Sequence, residues 1–423
     1  MTQTTRKTIA IIGTGISGLG AASLLHPYHQ ITVYEKNNYI GGHSRTVNVA
    51  TQDGIVPVDT GFIVFNKRNY PLLTRLFEHL GVPVTESDMS FGASIDGGWL
   101  EYGTQQPSSM FAQKSNLLRP AFWGMVADIL KFNKTAASYL SKDPRFTLGD
   151  CLDELKLRPW FREYFLLAMG GAIWSTPVSE MLKFPASTFI RFFENHGLLT
   201  TDDHPQWFTV RGGSREYVRR LVEPFKAHIH LGRGVRSVRR EEGGVVVEDS
   251  DGVMQLYDDV IFACHADQAL LLIGDASIQE QNILSAFKYQ PNRAVLHSDI
   301  SFMPKRSKAW ASWVYLCENK TDKNPCVSLS YWMNNLQPLP TQQPLIVTLN
   351  PGREPAADLV HDDVMFEHPV FDAAAIENQS KIDAIQGNNH LWFCGAYQRY
   401  GFHEDGLGSA VKLAERMGVF PPW

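Results

Sequence analysis

At 423 residues the chain is longer than one compact core, and about 150 residues per domain implies two or three units. Its formal charge of -5 is small for that length and its acids and bases are interspersed, so the basic footprint of a nucleic-acid binder is missing. The five cysteines, Cys151, Cys264, Cys317, Cys326 and Cys394, are scattered without a C-x-x-C pair, which points to a reduced protein without structural zinc.

The leading MTQTTRK is too short and too polar for a signal peptide, and no apolar run reaches the roughly 18 residues of a spanning helix. The expectation is a cytoplasmic protein, with contact to the inner face of a membrane left open. KTIAIIG then reads as a buried parallel strand that ends in a glycine turn. A helix is expected from Ile16 and Ser17 onward. Gly13 permits the tight bend, Gly15 lets backbone N–H groups approach a pyrophosphate, and Gly18 lets the helix pack on the strand. A second strand, ITVYE, ends in Glu35, twenty residues after Gly15, where a carboxylate meets the adenosine ribose hydroxyls. Lys36 follows it. Strand, glycine turn, helix, strand and acid in this order predict a dinucleotide site, and FAD and NAD both suit it.

Gly41 and Gly42 give a second stretch of bare backbone beside the pyrophosphate, with His43 and Arg45 able to offset its charge. Near the other end, an apolar strand from Leu391 to Cys394 stops at Gly395. A loop of aromatic and charged residues follows, and a helix is expected around Gly406 with Leu407, Ala410, Val411 and Ala414 on its apolar side. A helix N-terminus carries about half a positive charge, which suits the anion that develops on a reduced isoalloxazine, and NAD has no such need.

The stretch EKNNYIGGHSRTV resembles the signature of the flavin amine oxidase and phytoene desaturase superfamily, with His43 where arginine is usual. VPVDTGFIVFN resembles its next segment, which implies that Gly61, Phe62 and Ile63 pass the flavin. RYGFHEDGLGSA resembles its C-terminal flavin motif. Matched on Gly406, this motif implies that His403, Glu404 and Asp405 lie beside the ring system, with His403 and Glu404 as catalytic candidates. Val235 and Val238 resemble the strand on the adenine side. The whole chain, through DMSFGAS, GGAIWSTP, FFENHGLL, VRGGSREYV and YWMNNLQ, resembles a bacterial family of NAD/FAD-binding proteins in that superfamily. Its members are often encoded beside cyclopropane fatty acyl phospholipid synthases.

The implied fold is α/β: a three-layer, Rossmann-like FAD-binding domain of the glutathione-reductase type, with an inserted α+β substrate domain. Residues 1–65, 212–270 and 385–423 are expected to form the first, and 66–211 and 271–384 the second. Phe122, Trp123, Met125, Val126, Ile129, Leu130 and Phe132 lie on one predicted helix of the insert, as core or as the wall of an apolar tunnel. Lys305, Arg306 and Lys308 precede a strand, either as a solvated basic turn or as the source of a lysine near flavin N5.

With no hydrolytic triad, metal cluster or phosphate-transfer loop in the sequence, the cofactor FAD is expected to supply the chemistry. The leading expectation is an FAD-dependent oxidoreductase that takes hydride from a small apolar or lipid substrate. An amine oxidase, a double-bond isomerase and a non-catalytic accessory of a lipid-modifying methyltransferase are the alternatives. Oxygen, a quinone or a carrier protein each suits as electron acceptor.

Overall fold

A strand buried on both faces needs an unbroken apolar sequence, and β1 (Thr8–Ile12) supplies one: Ile9, Ala10 and Ile11 are wholly buried. In the computed structural model, which describes residues 6–143, 145–174, 178–195, 197–199, 205–318 and 326–423, β1 pairs in parallel with β2 (Gln30–Tyr34) and with Asp259–Phe262. The sheet order is Ile229–His230, β2, β1, Asp259–Phe262, Leu391–Phe393, all parallel. The first, middle and last parts of the chain therefore share one sheet.

Helices cover one face. α1 (Ile16–Leu25) follows the glycine turn, and the C-terminal α6 (His403–Arg416) lies against it. A Cβ on Gly20 would fall 2.9 Å from Leu407 Cδ1 and 3.3 Å from Ala410 Cβ, so small residues set this close crossing. On the other face, the antiparallel strands Val235–Glu241, Gly244–Asp249 and Met254–Tyr257 pack Val238, Val245 and Val247 onto Ala10, Val260 and Phe262. Helices, parallel sheet and antiparallel sheet make the three layers.

A seven-stranded sheet forms the second body, in the order Val360–Val370, Lys288–His297, Ile346–Leu349, Cys326–Trp332, Trp313–Glu318, Phe91–Ile95, Leu100–Gly103. Phe91–Ile95 joins Trp313–Glu318 in parallel, and the other neighbours are antiparallel. Residues from both sides of the middle of the chain thus build one sheet. Helices α3 (Pro120–Thr135) and α4 (Ala186–Asn195) pack on it through Phe122, Met125, Phe132, Phe189 and Phe193. GGAIWSTP and FFENHGLL run partly outside the described residues.

Asp59 ties the two bodies together. Its buried carboxylate accepts hydrogen bonds from Thr46 Oγ1 (2.6 Å), Ser214 N (2.9 Å), Ser214 Oγ (2.8 Å) and Gln337 Nε2 (2.6 Å). Burial pushes its pKa up to about 6, although these donors pull the other way. Gly213 beside it has φ of +88°, and a Cβ there would lie 2.4 Å from Thr46 Cγ2. The glycine pair Gly212 and Gly213 thereby leads into α5 (Arg215–Val222).

Candidate active site

The turn after β1 is built by three glycines with different tasks. Gly13, at φ of +108°, donates its N–H to Tyr34 O (2.8 Å). A Cβ on Gly18 would stand 2.0 Å from Gly13 O, so only glycine lets α1 start this close to the strand. A Cβ on Gly15 would meet nothing within 4 Å, because Gly15 opens onto a cavity of about 1610 Å³. Gly13, Gly15, Ile16 and Ser17 line it at the N-terminus of α1, where backbone partial charge favours an anion. Gly42 (φ +58°) rests on this turn, its Cβ position 3.0 Å from Gly15 Cα.

Glu35, Lys36 and Val235 line the same end of the cavity. Glu35 is buried and already holds the turn: it accepts from Thr14 N (3.1 Å), Thr14 Oγ1 (2.5 Å), Asn37 N (2.9 Å) and Asn37 Nδ2 (2.8 Å). The acid thus shapes the loop as well as facing the cavity.

Further along the cavity lie Gly61, Phe62, Ile63, Gly395 and His403. Gly61 is pressed onto the preceding loop, a Cβ being 2.1 Å from His43 O. Phe62 N–H donates to that same oxygen (2.7 Å). Its ring stacks on His403, with centroids 3.8 Å apart and planes at 15°. His403 Nε2 lies 2.8 Å from Ser44 Oγ and 3.1 Å from Tyr217 Oη, and Ser44 and Tyr217 also bond each other. Burial, with a smaller contribution from His43, lowers the His403 pKa to about 3, so the ring is neutral at pH 7.

His43 also lines the cavity and is neutral: burial, then His265, lowers it to about 4. It stacks on Phe366 at 4.8 Å, and its Nε2 is buried without a hydrogen-bond partner among the described residues. His265 (about 4) and His368 (about 3) complete a group of histidines depressed mainly by burial. A positive His43 is therefore not what this site offers a pyrophosphate.

Five of the expected residues do not line the cavity. Arg45 is held by Asp362 (Nη1–Oδ2 2.5 Å, Nη2–Oδ1 3.0 Å) and Thr60 (3.1 Å), so its charge is spent inside the protein. Glu404 was expected beside the ring; instead its carboxylate accepts Leu72 N–H and Leu73 N–H, both at 2.9 Å, and caps α2 (Pro71–His79). Asp405 accepts from Phe402 N (3.0 Å) and Tyr400 N (3.2 Å). That bond starts α6 at His403, three residues before the expected Gly406. Leu407 is core against Gly20, and Gly18 is interior. Lys305 and Arg306 bind Glu101 through their backbone N–H groups, and neither they nor Lys308 line the cavity.

Thr14, Ser44, Tyr217, His265, His368 and Asp88 escaped the sequence reading. Ser44 and Tyr217 stand 173 residues apart, and no local pattern links them. His265 precedes the helix Ala266–Leu272, and His368 lies in the strand Val360–Val370, 103 residues further on.

The residues fit FAD on their own geometry. Gly15 leaves an open cradle at the N-terminus of α1, while Gly406 brings the N-terminus of α6 beside it, its Cβ position 2.8 Å from Ile16 Cγ2 and 3.0 Å from Ser17 Oγ. The cavity exceeds the roughly 300–1,000 Å³ of a single-ligand site, which leaves room for a second molecule. Among the described residues no group of His, Cys, Asp or Glu is arranged to hold a metal ion, and no helix is long and apolar enough to cross a membrane.

No curated protein matches the chain by sequence. Among solved structures, cyclohexylamine oxidase from Brevibacterium oxydans IH-35A is similar over 98% of this chain and 100% of its own, at 16% identity and a TM-score of 0.68. A CLA-producing fatty acid isomerase from P. acnes is similar over 98% and 99%, at 14% identity and 0.66. Putrescine oxidase bound to putrescine covers 97% and 99%, at 14% identity and 0.66. These likenesses are of fold. The profile of the flavin containing amine oxidoreductases matches residues 16–350. The chain belongs to that family, and is an FAD-dependent oxidoreductase.

Proposed function

We propose that this flavoenzyme oxidises an apolar substrate of the fatty-acyl or lipid class, forming a double bond. The observation that carries the reading is the wall beyond Phe402, where Met110, Val126, Ile129, Phe165, Met169 and Phe192 line the cavity. Of the charged lining residues, Glu35, Lys36 and Glu367 belong to the nucleoside end, and Asp88 lies with the apolar wall. Asp88 Oδ1 is already engaged by Ser90, by Ser312 Oγ (2.7 Å) and by Asn335 Nδ2 (2.9 Å). An ammonium carried into such a wall would lose its hydration with little return, whereas an acyl chain gains about 25 cal/mol per Å² buried.

FAD, when bound, accepts the hydride; the other hydrogen leaves as a proton to water or a base. Gly13, Gly15, Ile16, Ser17 and Gly42 would hold its diphosphate, Glu35 and Val235 its adenosine, and Gly61, Phe62, Ile63 and Gly395 its ring. His403, neutral and fixed by Ser44 and Tyr217, acts as a positioning group that keeps the Phe62 ring in place. A double-bond isomerase is the second reading, favoured by the fold shared with the fatty acid isomerase.

The test is anaerobic mixing of holoenzyme with detergent-dispersed acyl chains or phospholipid extract. Bleaching by these and not by polyamines or aromatic amines supports the desaturase; product without bleaching supports the isomerase. Bleaching by amines alone overturns both.

A further inference from the structure

Helix α3 has three faces with different surroundings. Phe122, Met125 and Phe132 are buried in the core. Val126, Ile129, Leu130 and Asn133 line the cavity. Pro120, Trp123, Ala127, Leu130 and Lys134, spaced three and four apart, face solvent. The segment just before the helix extends this outer face: Leu117 is 48% exposed and Leu118 86%, beside Trp123 at 47% and Leu130 at 57%. A group of large apolar side chains in water on one element calls for an occupant.

Charge identifies the occupant. From Lys114 to Lys134 the segment carries four cations, Lys114, Arg119, Lys131 and Lys134, against the single acid Asp128, in a chain whose net charge is -5. Asp128 is buried and taken by Arg158, which it accepts at Nη1 (2.9 Å) and at the backbone N–H (2.8 Å). Lys114 and Lys134 are exposed, and Lys131, also exposed, donates its ammonium to Leu155 O (2.6 Å). Exposed apolar side chains on an element that also exposes lysines, with a tryptophan among them, match the boundary of an anionic bilayer, to which cations near the surface are drawn.

We propose that the outer face of α3 docks on an anionic lipid bilayer and that acyl chains enter the cavity past Leu130, which belongs to both the outer and the lining face. The proposal rests on the lipid reading for its purpose, and its test requires no turnover. A second copy of the chain is the competing occupant.

Holoprotein is sedimented with vesicles of phosphatidylcholine alone and with phosphatidylglycerol added. The expected result is co-sedimentation with the anionic vesicles, reduced by salt. The double variant Leu118→Asp, Trp123→Gln, whose positions do not line the cavity, should weaken it about tenfold or more while keeping the parent flavin absorbance and Tm. Lys114→Glu with Lys134→Glu should remove the dependence on phosphatidylglycerol. A parent that stays in the supernatant with both vesicles overturns the proposal, as does a double variant that binds like the parent. A dimer in light scattering that the double variant abolishes, without vesicle binding, assigns the face to self-association instead. Vesicle binding with neither flavin bleaching nor product from acyl chains leaves docking standing and sinks the lipid reading; bleaching or product without binding does the reverse.

Discussion

Gly406 and Ile16 touch across 390 residues of chain: a Cβ on the glycine would stand 2.8 Å from Ile16 Cγ2. This contact sets the start of α6 against the start of α1, so two helix N-termini open onto one cavity. In the proposed placement of FAD, it would give the diphosphate and the ring a common frame.

Gly15→Ala and Gly18→Ala separate cofactor space from folding. At Gly15 the new methyl points into the cavity, so the variant should fold with the parent apo-protein Tm and bind FAD at least about tenfold more weakly. At Gly18 it collides with Gly13 O, and a loss of about 3 kcal/mol or more, as in an overpacked core, is expected. Urea unfolding and flavin content of both variants check the contrast.

Glu404→Ala should cost about 1–2 kcal/mol, the value of a lost helix cap, because its carboxylate serves Leu72 and Leu73. The rate of flavin reduction per bound FAD should stay near that of the parent. A loss of rate by orders of magnitude at full flavin content would restore Glu404 to the chemistry.

Much of this was legible locally. The glycine turn, Glu35 and the C-terminal junction each lie within about thirty residues, and strand and helix periods report them directly. Arg45 misled because a cation beside a glycine pair looks the same in sequence whether it faces a phosphate or Asp362, 317 residues away. Glu404 misled for a related reason: the start of α6 was set by the Asp405 cap, which rotates Glu404 toward α2. The Ser44–Tyr217–His403 contact is made by chain distant in sequence, and only the fold assembles it.

Acid should destabilise the apo-protein. His43, His265, His368 and His403 have folded pKa values of about 3 to 4 against 6.5 unfolded, so the unfolded chain takes up protons that the fold refuses as pH falls below 6.5. Each costs about 1.4 kcal/mol per pH unit down to pH 4. Asp59 and Asp405, both raised to about 6, oppose this from pH 6 downward, because the fold binds their protons first. His297, lowered by burial to about 4, joins these four, and five groups against two leave a net loss, visible as a Tm that falls between pH 6.5 and 5. A flat or rising Tm would contradict the buried, neutral histidines.

His403→Ala should retain FAD and slow flavin reduction, since Phe62 loses the ring that stacks on it at 3.8 Å. His403→Gln, which keeps a polar group for Ser44 and Tyr217, should recover part of the rate. Equal rates for parent and both variants would remove His403 from the site's function.

FAD titration of the apo-protein, followed by flavin fluorescence, tests the shared clasp most directly. The parent should bind one FAD per chain in a single isotherm, and Gly15→Ala and the cavity-lining Ala396→Leu, one at each junction, should both shift that isotherm to weaker binding. An isotherm untouched by the C-terminal substitution, or two independent sites, would contradict the convergence of the two junctions on one cofactor.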